Sequence, residues 1–432
     1  MELLNLVNGR WIEGSGAEFA DTNPAAPGEI VARGRAASPD EVELAVGAAR
    51  DAAPAWRATP HHERAAVLAR AAVLIDAAAE EWGRELSREE GKTLPEAVAE
   101  VRGSARILRY YAAEADRESG EIYASPRPGE NLLVMRRPVG VAGLITPSNF
   151  PIAIPAWKIG PALTYGNTVV WKPTGSTEVG RAVIARCGEL AKPVQTEMGG
   201  KNAAVVLADA DLDHAAVQVC LGAFRSTGQK CTATSRLVVE EAVAADLLRK
   251  VAAKAEELVV GDPVEDGVET GPLVSAAARE RVAAGVLRAV KDGAEPLAGG
   301  RPYSQGRLAE GWFTPPTVLA LPGTHLDVWS TELFGPVVGA VRASGPEEAL
   351  RLANHSEHGL SAAIFTRDLG AAPRAVDDLD VGVLHVNSES AGTFPWVPFG
   401  GSKLSGFGPR EQGRAAREFF TQTVTVYLGA PA

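Results

Sequence analysis

The chain is poor in cysteine, methionine and aromatic residues: three Cys, three Met and 6% Phe, Trp and Tyr among 432 residues. Cysteines scattered at Cys187, Cys220 and Cys231 exclude a disulfide scaffold and fit a reducing cytoplasm. None stands at zinc-site spacing from any of the seven histidines, so no metal is expected. Positive charge is also in deficit, with 43 Lys and Arg against 54 Asp and Glu and a net charge of −11. Without a basic face, nucleic acid is excluded as a partner. No apolar run approaches the ~20 residues that a membrane-spanning helix requires. Met1-Glu2-Leu3-Leu4-Asn5-Leu6 has neither the basic segment nor the apolar core of a signal peptide, and no membrane association is expected.

What is present is a globular composition, 46% hydrophobic and 22% charged, in a chain long enough for two or three units of ordinary size. Apolar residues at helical spacing, such as Val67, Leu68, Ala71, Leu74, Ile75 and Ala78, predict helices over 39–57, 60–86 and 93–118. Past Gly120 the period changes. Strands are expected over 131–135 and 141–145, separated by Pro138-Val139-Gly140. An alternation follows: strand 141–145, helix 155–165, strand 168–171, helix 176–191, then strands 194–198 and 203–207. Short apolar strands between helices imply an α/β fold with a parallel sheet covered on both faces. Ligands in such sheets bind beyond the carboxyl ends of strands, where Asn149, Lys172 and Glu197 fall.

Cys231 stands in Gly228-Gln229-Lys230-Cys231-Thr232-Ala233-Thr234, preceded by a lysine and with Glu197 upstream. A thiolate, not a thiol, attacks carbon, so a working cysteine requires positive charge or a base nearby. The alternative is a small buried apolar residue.

The remaining motifs bear on that choice. Ile145-Thr146-Pro147-Ser148-Asn149-Phe150-Pro151, Val170-Trp171-Lys172-Pro173, Glu197-Met198-Gly199-Gly200-Lys201, the Cys231 segment, Glu332-Leu333-Phe334-Gly335-Pro336 and Pro398-Phe399-Gly400-Gly401 occur in this order. In series they resemble the NAD(P)-dependent aldehyde dehydrogenase superfamily, from Asn8-Gly9-Arg10-Trp11 to the last strand. The resemblance implies a Rossmann-type cofactor domain over 1–118 and 139–199, an α/β catalytic domain over 200–404, and a β oligomerisation arm over 119–138 and 419–432. It implies Cys231 as nucleophile, Asn149 as oxyanion donor and Glu197 as the base that activates hydrolytic water. It further implies NAD or NADP held by Lys172, Gly175, Ser176, Glu332 and Phe334, and a homodimer or homotetramer.

One departure stands out. In relatives a helix, a strand, another helix and another strand separate the Trp-Lys-Pro strand end from the Gly-Ser-Thr turn, whereas Lys172-Pro173-Thr174-Gly175-Ser176 runs directly between them. Roughly fifty residues are absent, about two strand–helix repeats. The cofactor domain is therefore expected to be truncated after Lys172, with weakened NAD(P) binding. An alternative function follows: a redox-impaired relative that retains binding or thiol esterase activity.

The substrate is expected to be a small aldehyde. Phe150, Trp157, Phe399 and Trp396 occupy positions that line the aldehyde tunnel in relatives. Arg225 is placed either to pair with a carboxylate at the far end of a semialdehyde or as an ordinary solvated or helix-paired arginine. Ala391-Gly392, the Pro398-Phe399-Gly400-Gly401 turn and the 408–414 segment resemble the subgroup that acts on 2-oxoglutarate semialdehyde, which is the leading substrate expectation.

Overall fold

Capping sets the amino-terminal helical layer. The Ser38 hydroxyl accepts from the Glu41 N–H while the Glu41 carboxylate accepts the Ser38 N–H at 2.7 Å, a reciprocal cap ahead of Pro39. The computed structural model describes residues 1–173 and 177–429. Helix Pro39–Ala58 follows the cap. The single helix expected over 60–86 is instead two, His61–Ala77 and Ala79–Glu90, divided where Ala78 adopts φ −91° and ψ 7°. The break lets both pieces pack against helix Leu94–Ala112. That helix also ends earlier than 118, passing into a tighter turn over Ala113–Asp116. Gly91 terminates Ala79–Glu90 at φ +87°, donating to the Ser87 carbonyl at 3.0 Å, and a Cβ there would meet Pro272 Cγ at 2.8 Å. Only glycine fits that left-handed, crowded stop.

Two parallel sheets carry the rest. Val141–Thr146 pairs with Thr168–Pro173, and helix Ala153–Thr164 crosses between them. Its apolar face packs with Leu68, Leu108, Tyr111, Ala142 and Leu144. Among the described residues no third strand joins this pair. Helix Thr177–Glu189 buries none of its described residues, and Ile145 and Trp171 stand 40% and 42% exposed. Both residues lie on the strand pair that leads into the short junction after Lys172.

The strand expected over 194–198 contracts to Thr196–Glu197 and lies outside this sheet, antiparallel to Gly406–Phe407. Pro193 lacks an N–H and Gly199-Gly200 end the extended run, while the Met198 N–H finds the Ser405 carbonyl at 2.9 Å. Glu197 is thus placed by the carboxyl-terminal turn, not by the end of a cofactor-sheet strand.

The larger sheet has seven strands in the order 295–298, 317–320, 337–343, 234–240, 202–206, 361–365, 383–386. All neighbours are parallel except the first pair. Its central strands, Asn202–Val206 and Ser361–Phe365, are buried throughout because helices cover both faces. Helices Leu212–Phe224 and Glu241–Glu257 pack on one face, and helices Pro346–Asn354 and Ala371–Asp378 on the other.

The two sheets meet head to tail. Asn149 follows the strand Val141–Thr146, whereas Gly200 and Cys231 precede Asn202–Val206 and Thr234–Glu240. A separate antiparallel sheet joins Gly120–Ala124, Asn131–Pro138 and Thr421–Leu428, leaving Ile122, Tyr123, Met135 and Tyr427 exposed. No helix among the described residues is long and apolar enough to cross a membrane.

Candidate active site

Cys231 sits where a strained turn enters the larger sheet. Ser226, Thr227 and Gly228 all have positive φ, and a Cβ on Gly228 would stand 2.3 Å from the Gly335 carbonyl oxygen. Asn202 ties down the other side: its Nδ2 donates to the Cys231 and Ala233 carbonyls at 2.7 and 2.9 Å, and its Oδ1 accepts the Ser361 N–H at 3.0 Å. The Cys231 thiol is free. Burial pushes it up to about 12, with the carboxylates of Glu332 and Glu197 adding to the rise and its own and the Thr232 N–H opposing it. It therefore rests as a thiol and requires a base to attack. Lys230, the adjacent cation, faces elsewhere, donating to the Leu221 carbonyl at 3.4 Å and lying 3.7 Å from Glu389.

Two partly buried carboxylates flank the thiol. Glu197 is driven well above the usual carboxylate range by burial and then by Glu411, against the pull of Lys158, Arg410 and the Gly401 N–H. Its Oε2 has no hydrogen-bond partner. Lys158 pairs directly with Glu411 and lies 3.5 Å from Gln195 Oε1. The pairing of Lys158 with Glu411 was not foreseen from sequence, because 253 positions separate them. Glu332 accepts the Gly200 N–H at 3.1 Å, and a Cβ on Gly199 would stand 2.0 Å from its Oε2. Burial pushes Glu332 up to about 7, opposed by the Gly200 N–H and Lys201.

Asn149 is 6% exposed, and its Nδ2 donates to the Gln229 carbonyl at 2.8 Å, two residues before Cys231. An amide has two N–H groups, so one remains for a ligand. Trp157 and Phe399 meet at 5.3 Å between ring centroids, and Phe150 lies under Lys92, 3.9 Å from Nζ to its ring. Trp396 is instead exposed, stacked on Phe394 at 5.0 Å. Arg225 pairs with Glu389 at 3.2 Å, its side chain 52% exposed.

Glu332 and the side-chain-free Gly199-Gly200 backbone lie together beside Cys231. Phe334 follows with φ +56°. The adenosine end is barer: Lys172 is exposed and donates to the Pro173 carbonyl at 3.2 Å. Gly175 and Ser176 lie outside the described residues.

Fold and site together define an α/β protein in which a partly buried thiol, two carboxylates and an amide converge between a cofactor-type sheet and a catalytic sheet. The model of the aldehyde dehydrogenase family matches residues 11–174 and 174–426. The chain belongs to that family. It is 35% identical to the alpha-ketoglutaric semialdehyde dehydrogenase of Bacillus subtilis over 98% of both chains. It is 36% identical to the alpha-ketoglutarate semialdehyde dehydrogenase of Haloferax volcanii, again over 98% of both. The first alignment spans 476 residues against the 432 of this chain, in keeping with an internal shortening, and the two family segments meet at 174. The crystal structure of an NAD-dependent aldehyde dehydrogenase from Sinorhizobium meliloti superposes with a TM-score of 0.95 at 30% identity, covering 100% of this chain and 96% of that one. The protein is accordingly an NAD(P)-dependent, aldehyde-oxidising enzyme.

Proposed function

We propose that the protein oxidises an acidic semialdehyde, 2-oxoglutarate semialdehyde foremost, to the carboxylate through a thioester on Cys231. The convergence of Cys231, Glu197 and Asn149 at the meeting of the two sheets carries this reading. As the Cys231 sulfur bonds to the aldehyde carbon, its proton passes to solvent water, and Glu197, whose affinity for a proton is raised, is kept for the hydrolytic step. The new oxyanion is met by the second Nδ2 N–H of Asn149 and the Cys231 backbone N–H. NAD(P), when bound, would supply the hydride acceptor; Glu332 and Phe334 would hold its nicotinamide end, and Lys172, Gly175 and Ser176 the rest of its length. Glu197 then takes a proton from water that attacks the thioester carbon, and the thiolate of Cys231 leaves.

Phe150, Trp157 and Phe399 form the aromatic wall for the substrate's carbon chain. Arg225 pairs with the distal carboxylate, in competition with Glu389. The relatives named for alpha-ketoglutarate semialdehyde support that choice. Arg225→Leu is expected to raise the KM for 2-oxoglutarate semialdehyde far more than that for an uncharged aldehyde; an equal rise for both rejects the acidic substrate.

The two-stranded cofactor sheet favours a second reading, in which redox turnover is impaired and a thiol esterase or binding role persists. Steady NADH formation from a semialdehyde supports the first reading, and ester hydrolysis without it supports the second. Residues 1–118 and 139–199 are assigned to the cofactor domain, 200–404 to the catalytic domain, and 119–138 with 419–432 to an arm that joins a homodimer or homotetramer in the cytoplasm.

A further inference from the structure

Lys92 is 2% exposed, and a buried ammonium is costly unless it is well paired. Its Nζ donates to Glu100 Oε2 at 2.6 Å and to the Asn149 carbonyl at 2.8 Å. It also lies 3.9 Å from Glu90 Oε2 and 3.9 Å from the centroid of the Phe150 ring. Glu100 reaches the same loop by its other oxygen, Oε1, which accepts the N–H groups of Ile152 and Ala153 at 3.0 and 3.1 Å. One ion pair thus grips the loop at both ends, the cation on the carbonyl of residue 149 and the carboxylate on the amides that open helix Ala153–Thr164.

The grip bears on the side chain of Asn149. A main chain fixed at residue 149 fixes the direction of its Cα–Cβ bond, and the amide at the end of that bond reaches Gln229 beside Cys231 at 2.8 Å. The buried Oδ1 of Asn149 has no partner, so the amide is tethered from its nitrogen alone. Without the pair, loop and amide would have to be held by packing.

We propose that Lys92, fixed by Glu100, is the positioning residue of the oxyanion donor: it touches neither sulfur nor substrate, and it sets where the Asn149 amide stands when Cys231 attacks. The inference rests on the oxyanion role given to Asn149 above.

Two reactions of Cys231 separate positioning from general damage. Acylation by p-nitrophenyl acetate builds an oxyanion and requires no cofactor, whereas alkylation by iodoacetamide builds none. Lys92→Met strands Glu100 in the interior, so the charge-matched Lys92→Met/Glu100→Gln variant is measured beside it on the full-length protein. The double variant is expected to slow acylation by roughly 10²-fold, the scale of losing one oxyanion donor, with alkylation unchanged. Adding Asn149→Ala to it is expected to cost no further rate, since both changes remove one interaction. Lys92→Arg, which keeps the charge, is expected to recover part of the acylation rate. Unchanged acylation in the double variant, a parallel fall in acylation and alkylation, or additive losses with Asn149→Ala would each overturn the proposal. If Asn149→Ala alone leaves acylation intact, the oxyanion assignment falls, and the inference with it.

Discussion

The carboxylate of Glu197 rests on bare backbone at Gly400, where a Cβ would stand 2.5 Å from Oε1. Gly406 approaches the same oxygen, its own Cβ position 3.1 Å away. Gly400 also has φ +151°, a backbone region that side chains rarely adopt. The glycine turn is thereby a seat for the Glu197 carboxylate as well as a bend in the chain.

Gly400→Ala is expected to displace Glu197 and slow hydrolysis of the thioester by ~10²-fold or more, the range lost with a general base. Acylation by an activated ester should survive, giving a burst of p-nitrophenol followed by a slow steady rate. Equal losses in burst and steady rate would show that the turn does not act through Glu197.

A second prediction concerns pH and stability. Burial pushes the Glu90 carboxyl up to about 8 from an ordinary 4.5, with Lys92 offsetting part of the rise. Between those values the folded protein keeps a proton that the unfolded chain has released, so stability falls as pH rises. The stabilising contribution is complete below 4.5 and lost through about 8. Glu90→Gln removes this titration, so its Tm relative to wild type should climb by a few degrees from pH 5 to pH 8. Parallel Tm curves for the two proteins across that range would reject the assignment.

Asn202 carries a third. Replacing it by Ala leaves the Cys231 and Ala233 carbonyls and the Ser361 N–H without partners in a residue environment 2% exposed. At ~1–3 kcal/mol for each buried group left unsatisfied, Asn202→Ala should cost roughly 3 kcal/mol or more in urea denaturation. A loss below ~1 kcal/mol would mean that water or a rearranged loop replaces all three bonds.

Legibility in the sequence followed the range of the interactions. Cys231, Glu197 and Asn149 stood in short motifs whose order pointed to one family, and the structure brings all three together. The strand that was to carry Glu197 was misplaced, because an extended segment does not reveal its partner; the Ser405 carbonyl that takes the Met198 N–H lies far along the chain. The break at Ala78 carried no glycine or proline to announce it. Lys92, Glu100, Asn202 and Lys158 escaped notice for a related reason. A buried charge or amide resembles a surface one until its partners are known, and those of Lys92 and Asn149 lie 57 positions apart. The sole local sign was the stop at Gly91, which ends one helix and delivers Lys92 into the interior.

The last prediction turns on the shortened sheet. At the end proposed for the nicotinamide, Glu332 and the Gly199-Gly200 backbone lie together beside Cys231. At the adenosine end, no third strand flanks Thr168–Pro173 among the described residues, Trp171 and Ile145 are exposed, and the third residue past Lys172 is Gly175, which offers no carboxylate to a ribose. Binding energy from the adenosine half should therefore be largely lost. Calorimetric titration is expected to give NAD and NADP dissociation constants approaching ~1 mM, against the ~1 μM that about 4 kcal/mol of further contact would supply. Nicotinamide mononucleotide, which lacks the adenosine half, should bind within a few-fold of NAD. A micromolar constant for either dinucleotide, together with much weaker binding of the mononucleotide, would show that the remaining strands and helix Thr177–Glu189 still grip the adenosine.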